Sequence, residues 1–126
     1  MGAKILIIDD EPDLCAQFAK IFQSEGHTVL KATSGRQGIT IAKKSQPELI
    51  FLDLKMPQMD GITTLKYLRQ VAKGAEIVVL TGVGTLKTAQ EAMKLGAYDY
   101  TTKPFDLDLI RQLIQEALAN RVSFSR

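Results

Sequence analysis

Apolar positions along the chain fall into two alternating patterns. Five short segments lean towards β-structure: KILII (4–8), TVLKA (28–32), ELIFL (48–52), EIVVL (76–80) and AYDY (97–100). Between and after them, apolar residues recur at helical spacing, first at Leu14, Phe18, Ile21 and Phe22, then at Gly38, Ile39 and Ala42. The pattern continues at Ile62, Leu65, Leu68 and Val71, at Ala89, Ala92, Met93 and Leu95, and finally at Leu107, Ile110, Ile114 and Leu118. Strand and helix thus alternate five times. A nearly continuous apolar strand must be shielded on both faces, and helices between consecutive strands supply that cover, so the pattern predicts a doubly wound α/β fold around a parallel sheet. Pro12 suits a first helical turn, Ser34 a helix cap, and Gly26 and Gly96 helix ends, while Pro47 precedes the third strand.

A length of 126 residues fits one domain, set at 1–120, with 121–126 as a tail or the start of a linker. Apolar residues make up 45% and charged residues 24%, and no apolar run is long enough to span a membrane. The 16 basic and 14 acidic residues are spread along the chain, so no polybasic stripe points to nucleic acid. Cys15 is the single cysteine, which excludes an intrachain disulfide and a Cys-rich zinc site. With no charged-then-apolar leader at its start, the sequence leads one to expect a cytoplasmic location.

In open parallel sheets, functional groups gather beyond the carboxyl ends of the strands. There the sequence places Asp9, Asp10 and Glu11 after the first strand, Asp53 after the third, Thr81 and Gly82 after the fourth, and Thr102, Lys103 and Pro104 after the fifth. Clustered carboxylates suit Mg²⁺, or Mn²⁺ in its place, with Asp10 and Asp53 as direct ligands and Asp9 acting through water. A carboxylate is also a nucleophile towards phosphorus once a cation offsets the repulsion between two anions, and Asp53 is the one placed for attack. Charge developing on the transferred group calls for further donors, for which Lys103 and Thr81 are at hand. Gly82 leaves the approach open.

With these residues in order, residues 4 to about 119 resemble the receiver domain of two-component response regulators. The family's acidic pair falls on Asp9 and Asp10, its phosphoacceptor on Asp53 within LDLKMPQMDG, its switch hydroxyl on Thr81, its lysine on Lys103 in KPF, and its switch aromatic on Tyr100. The resemblance implies a flavodoxin-like (βα)5 sandwich with strand order 2-1-3-4-5, and a Mg²⁺ ion held also by the backbone carbonyl of Lys55. It implies a cis bond between Lys103 and Pro104, and a phosphoryl donor that is a histidine kinase or histidine phosphotransfer protein. Phosphorylation then draws Thr81 to the phosphate and turns Tyr100 inward, remodelling the face of the fourth helix, fifth strand and fifth helix, a surface also suited to homodimerisation. The segment from Leu80 to Ile110 is similar to receivers of sigma-54-dependent transcription activators and to stand-alone phosphorelay receivers. Neither DNA binding by this chain nor contact with a membrane is expected.

Two other functions compete. A haloacid-dehalogenase type phosphatase needs a second Asp two positions after its nucleophile, and that position is Lys55. A phosphate-independent binding module is expected to lack the lysine, the acidic pair or the phosphoacceptor, all of which are present. Other residues carry plainer expectations: His27 in an exposed turn, Cys15 partly buried and inert, Met56 and Met59 packing beside the loop after Asp53, and TGVG fitting neither common nucleotide-phosphate motif. Kinase choice is expected to lie on the exposed face of the first helix around Asp13, Gln17 and Lys20, with the loop after Phe105.

Overall fold

A computed structural model describes residues 2–56, 59–82 and 86–124. The elements run β1 (Lys4–Ile8), α1 (Pro12–Ser24), β2 (Thr28–Ala32), α2 (Gly35–Ser45), β3 (Leu49–Asp53), α3 (Gly61–Val71), β4 (Glu76–Thr81), α4 (Leu86–Lys94), β5 (Asp99–Thr102) and α5 (Leu107–Phe124). All strand pairs are parallel and the sheet order is β2-β1-β3-β4-β5. The fold is the doubly wound α/β sandwich that the alternation predicts, with the flavodoxin-like strand order that the family resemblance implies.

Side chains of the central strands alternate between two cores, as a period of two requires. Ile5, Ile7, Leu49, Phe51, Val78 and Leu80 pack with Phe18 and Phe22 of α1 and with Ile110, Leu113 and Ile114 of α5. Their neighbours Leu6, Ile8, Ile50, Leu52, Ile77 and Val79 pack on the other side with Leu65 and Leu68 of α3 and Ala92 of α4. β3 lies between β1 and β4, and all five of its residues are buried. Its last residue is Asp53, so the core itself delivers that carboxylate to the sheet edge.

The helix ends follow the expected signals. Ser34 is extended at φ −149° and its side chain accepts a hydrogen bond from the Gln37 N–H at 3.1 Å, while the Gln37 side chain accepts from the Thr33 N–H at 2.9 Å. Ser34→Ala should therefore cost about 1 kcal/mol of stability, read as a lower urea midpoint at unchanged slope. An unchanged midpoint would show that water replaces the cap at no cost. Gly26 and Gly96 turn the chain at φ 97° and 104°, the left-handed region that favours glycine.

Several sequence-based expectations are corrected. β5 spans Asp99–Thr102 rather than 97–100, because residues 96 and 97 close the end of α4: Gly96 N–H donates to Met93 O and Ala97 N–H to Ala92 O. β3 starts one residue late and, like β4, runs one residue further, through a polar side chain where the apolar run stops. Met93, counted on the inner stripe of α4, is 37% exposed, and Leu107 is 38% exposed. α5 continues through residues 121–124, where the sequence shows little pattern. His27 is half-buried and its Nδ1 accepts the Ala3 N–H at 3.0 Å, fixing the entry to β1. Among the described residues, no helix is long and apolar enough to cross a membrane.

Candidate functional site

Parallel strands leave the sheet at the same edge, so the residue that ends each one meets its neighbours there. Asp9 and Asp10 follow β1, Asp53 ends β3, Thr81 ends β4 and Lys103 follows β5. Carboxylate oxygens of Asp9, Asp10 and Asp53 all lie within 4.8 Å of one another. Lys103 Nζ sits among the acids, 2.6 Å from Asp9 Oδ2, 3.2 Å from Asp53 Oδ2 and 3.4 Å from Glu11 Oε1. The Lys103–Pro104 peptide bond is cis.

The second oxygen of each buried acid is held by backbone. Asp53 Oδ1 accepts the Lys55 N–H, and Asp9 Oδ1 accepts the Glu11 N–H, both at 3.0 Å. Burial raises the pKa of Asp9 and Asp53 above the ordinary carboxylate range, offset only in part by these N–H groups and by Lys103. Burial works against the Lys103 ammonium, yet Asp9 and Asp53 outweigh it and lift its pKa above the usual lysine value.

Asp9 Oδ2 is buried and has no hydrogen bond; its contact with Lys103 is an ion pair without hydrogen-bond alignment. This buried oxygen has the Lys103 ammonium as its one cationic neighbour, and it belongs to a group of three acids that one lysine cannot neutralise. This donor set fits a hard divalent cation, which takes carboxylate oxygens and tolerates water in its remaining positions.

Thr81 is buried, and its hydroxyl donates to the carbonyl of Thr101 at 3.4 Å, while its own carbonyl accepts the Lys103 N–H at 2.9 Å. This residue therefore bonds directly to β5. A Cβ built on Gly82 would meet nothing within 4 Å. Tyr98 packs against the α1/α5 core, whereas Tyr100 is 39% exposed, so burial separates two tyrosines that strand alternation alone could not. Of the TGVG stretch, Val83 and Gly84 lie outside the described residues, as do Pro57 and Gln58 of the segment after Asp53.

Two contacts at the site had no counterpart in the sequence reasoning. Cys15 is fully buried, not partly, and its Sγ donates to the Asp9 carbonyl at 3.3 Å. Burial and the neighbouring Asp9 push its thiol up to about 11. Glu11 joins Lys103, a contact with no signal in the sequence beyond the place of Glu11 in the acidic run. The first contact is made within the turn from β1 into α1, and the second joins that turn to the segment after β5, which spacing alone does not show.

The chain matches the family described as response regulator receiver domain over residues 5–115, and it belongs to that family. It is 36% identical over 118 residues to sporulation initiation phosphotransferase F of Bacillus subtilis, covering 94% of this chain and 95% of that protein. To the regulatory protein AtoC of Escherichia coli it is 35% identical over 115 residues, which is 91% of this chain and 25% of the relative, so it spans about a quarter of that length. Among solved structures, NtrX from Brucella abortus in complex with ADP superposes with a TM-score of 0.93 at 30% identity, over 99% of this chain and 29% of that one. A receiver domain protein from Clostridium thermocellum gives 0.91 at 31% identity, over 98% of this chain and 99% of that one. The chain is thus a receiver domain related to those of sigma-54-dependent activators, and a phosphorylation switch is the general function of its family.

Proposed function

We propose that Asp53 accepts a phosphoryl group from a phosphohistidine of a kinase or phosphotransfer protein. One observation carries this reading: a single carboxylate, delivered by the central buried strand, stands within ion-pair reach of Lys103 and within 4.8 Å of two further acids. In the step, an Asp53 carboxylate oxygen forms a bond to phosphorus while the phosphorus–nitrogen bond of the donor breaks. The donor imidazole keeps that electron pair and takes up a proton. Asp10 and Asp53 would hold Mg²⁺ directly with the Lys55 carbonyl, and Asp9 through water. When bound, the ion would neutralise acidic charge and polarise the phosphoryl oxygens.

The chain's own groups do the rest. Lys103 supplies a cation beside the acceptor oxygen, and its two acidic partners keep it protonated. Thr81, released from the Thr101 carbonyl, would bond a phosphoryl oxygen, and because that carbonyl belongs to β5 the exchange would loosen the strand that carries exposed Tyr100. Inward rotation of Tyr100 would then alter the surface of α4, β5 and α5, the proposed site of output and of pairing with a second copy. In this reading the domain regulates transcription through an output domain joined after α5, the arrangement suggested by matches that cover only a quarter of AtoC. A second reading is a stand-alone phosphorelay receiver, favoured by the match to 95% of the Bacillus subtilis phosphotransferase.

Intact mass after incubation with acetyl phosphate and Mg²⁺ tests the proposal. The expected result is a gain of one phosphoryl group that EDTA prevents. No gain under any condition would refute it and leave a phosphate-independent binding module as the better account, and an equal gain in EDTA would refute the part given to the metal.

A further inference from the structure

Lys103 has three N–H donors and three carboxylates around it, but the three acids are not equivalent. Asp9 and Asp53 have side chains 0% and 6% exposed, and each is anchored through its other oxygen by a backbone N–H. The Glu11 side chain is 63% exposed and reaches Lys103 from the solvent side. Among the described residues, its carboxylate makes one hydrogen bond, to Lys103 Nζ at 3.4 Å. Glu11 is the N-cap of α1, yet its side chain makes no capping hydrogen bond, and Pro12 follows at the first helical position. The helix start therefore depends on the backbone of Glu11 and not on its carboxylate.

We propose that Glu11 is a positioning residue that restrains Lys103 at the mouth of the site. The inference rests on the proposed role of Asp53. An incoming phosphoryl group brings negatively charged oxygens that need the same ammonium. The Glu11 carboxylate opposes them twice, by holding one Nζ proton and by placing a negative charge beside the approach. It acts on entry of the phosphoryl donor and not on bond formation, because it touches only the lysine. The effect is modest, since the pair is solvent-exposed, and it weakens as salt screens the charge.

Initial rates of phosphoryl uptake against acetyl phosphate concentration, for wild type and Glu11→Gln, separate these effects. Each protein is used at a Mg²⁺ concentration that saturates it in a thermal-shift titration. The expected result is a KM about threefold lower in Glu11→Gln, the factor that matches an exposed ion pair, with kcat unchanged. Raising the ionic strength should shrink the difference. An unchanged or higher KM, or a difference indifferent to salt, would overturn the assignment, while wild-type uptake lost in Asp53→Asn would leave Asp53 as the acceptor. Wild-type protein that took up no phosphoryl group would overturn both.

Discussion

Asp53→Asn should leave the intact mass of the protein unchanged after incubation with acetyl phosphate and Mg²⁺, under conditions where the wild type is expected to gain one phosphoryl group. The expected loss is complete, because an amide oxygen is a far weaker nucleophile than a carboxylate and no other acid takes its place. Asp9 is buried with one oxygen tied to the Glu11 N–H and the other against Lys103, and Asp10 is exposed beyond the end of β1. The substitution should leave the metal-free fold no less stable, since burial already disfavours the charge of Asp53. Removing one of the three proposed direct ligands should also shrink the rise in melting temperature expected on adding Mg²⁺ to the wild type. Thermal melts with and without Mg²⁺ therefore distinguish a folded, inert variant from a collapsed one. A phosphoryl gain in the variant would move the acceptor elsewhere in the acidic group.

Phe51→Ala, two residues before Asp53, tests the scaffold. Phe51 is 0% exposed and its ring meets Phe18 edge-on, with centroids 5.1 Å apart. Truncation of a buried Phe removes its transfer energy and leaves a cavity, together about 4 kcal/mol. Against a stability of roughly 5–15 kcal/mol for a domain, this is a large fraction. The urea midpoint should fall in proportion with the slope preserved, and Phe18 is too tightly packed with Phe22, at 4.7 Å, to swing into the space. A loss below about 1 kcal/mol would mean that the α1/α5 core closes over the gap, contrary to the cost expected where collapse is partial.

Much of this structure was legible from residue patterns because its central strands are apolar on both faces. β1 and β2 begin and end where their runs do. β3 and β4 each extend by one residue because their last positions, Asp53 and Thr81, are polar, so an apolar run stops short of them. β5 was misplaced by two residues because it lies at the sheet edge with an exposed Tyr100 and a partly buried Asp99, leaving little periodicity to follow. The acids and Lys103 could be named from their strand-end positions, and the family resemblance gave them roles. The contacts of Glu11 with Lys103 and of His27 with Ala3 join residues 92 and 24 positions apart, and only the folded arrangement reveals them.

The close approach of Gly61 to Leu54 bears on a different property of the domain. Gly61 N–H donates to Leu54 O at 3.2 Å, and a Cβ on Gly61 would fall 2.3 Å from Leu54 Cα. The segment leaving Asp53 is thus clasped at its base, and its two ends meet whatever its length. Closure entropy grows only by about 0.6 kcal/mol for each doubling of a flexible loop, so the segment should accept added residues without shifting β3 or α3. A short Gly-Ser insertion after Met59 that preserved both stability and phosphoryl uptake would show this tolerance, and loss of either would disprove it. Such tolerance would make the segment after Asp53 a place where new recognition sequences can be grafted while β3 holds Asp53 in position.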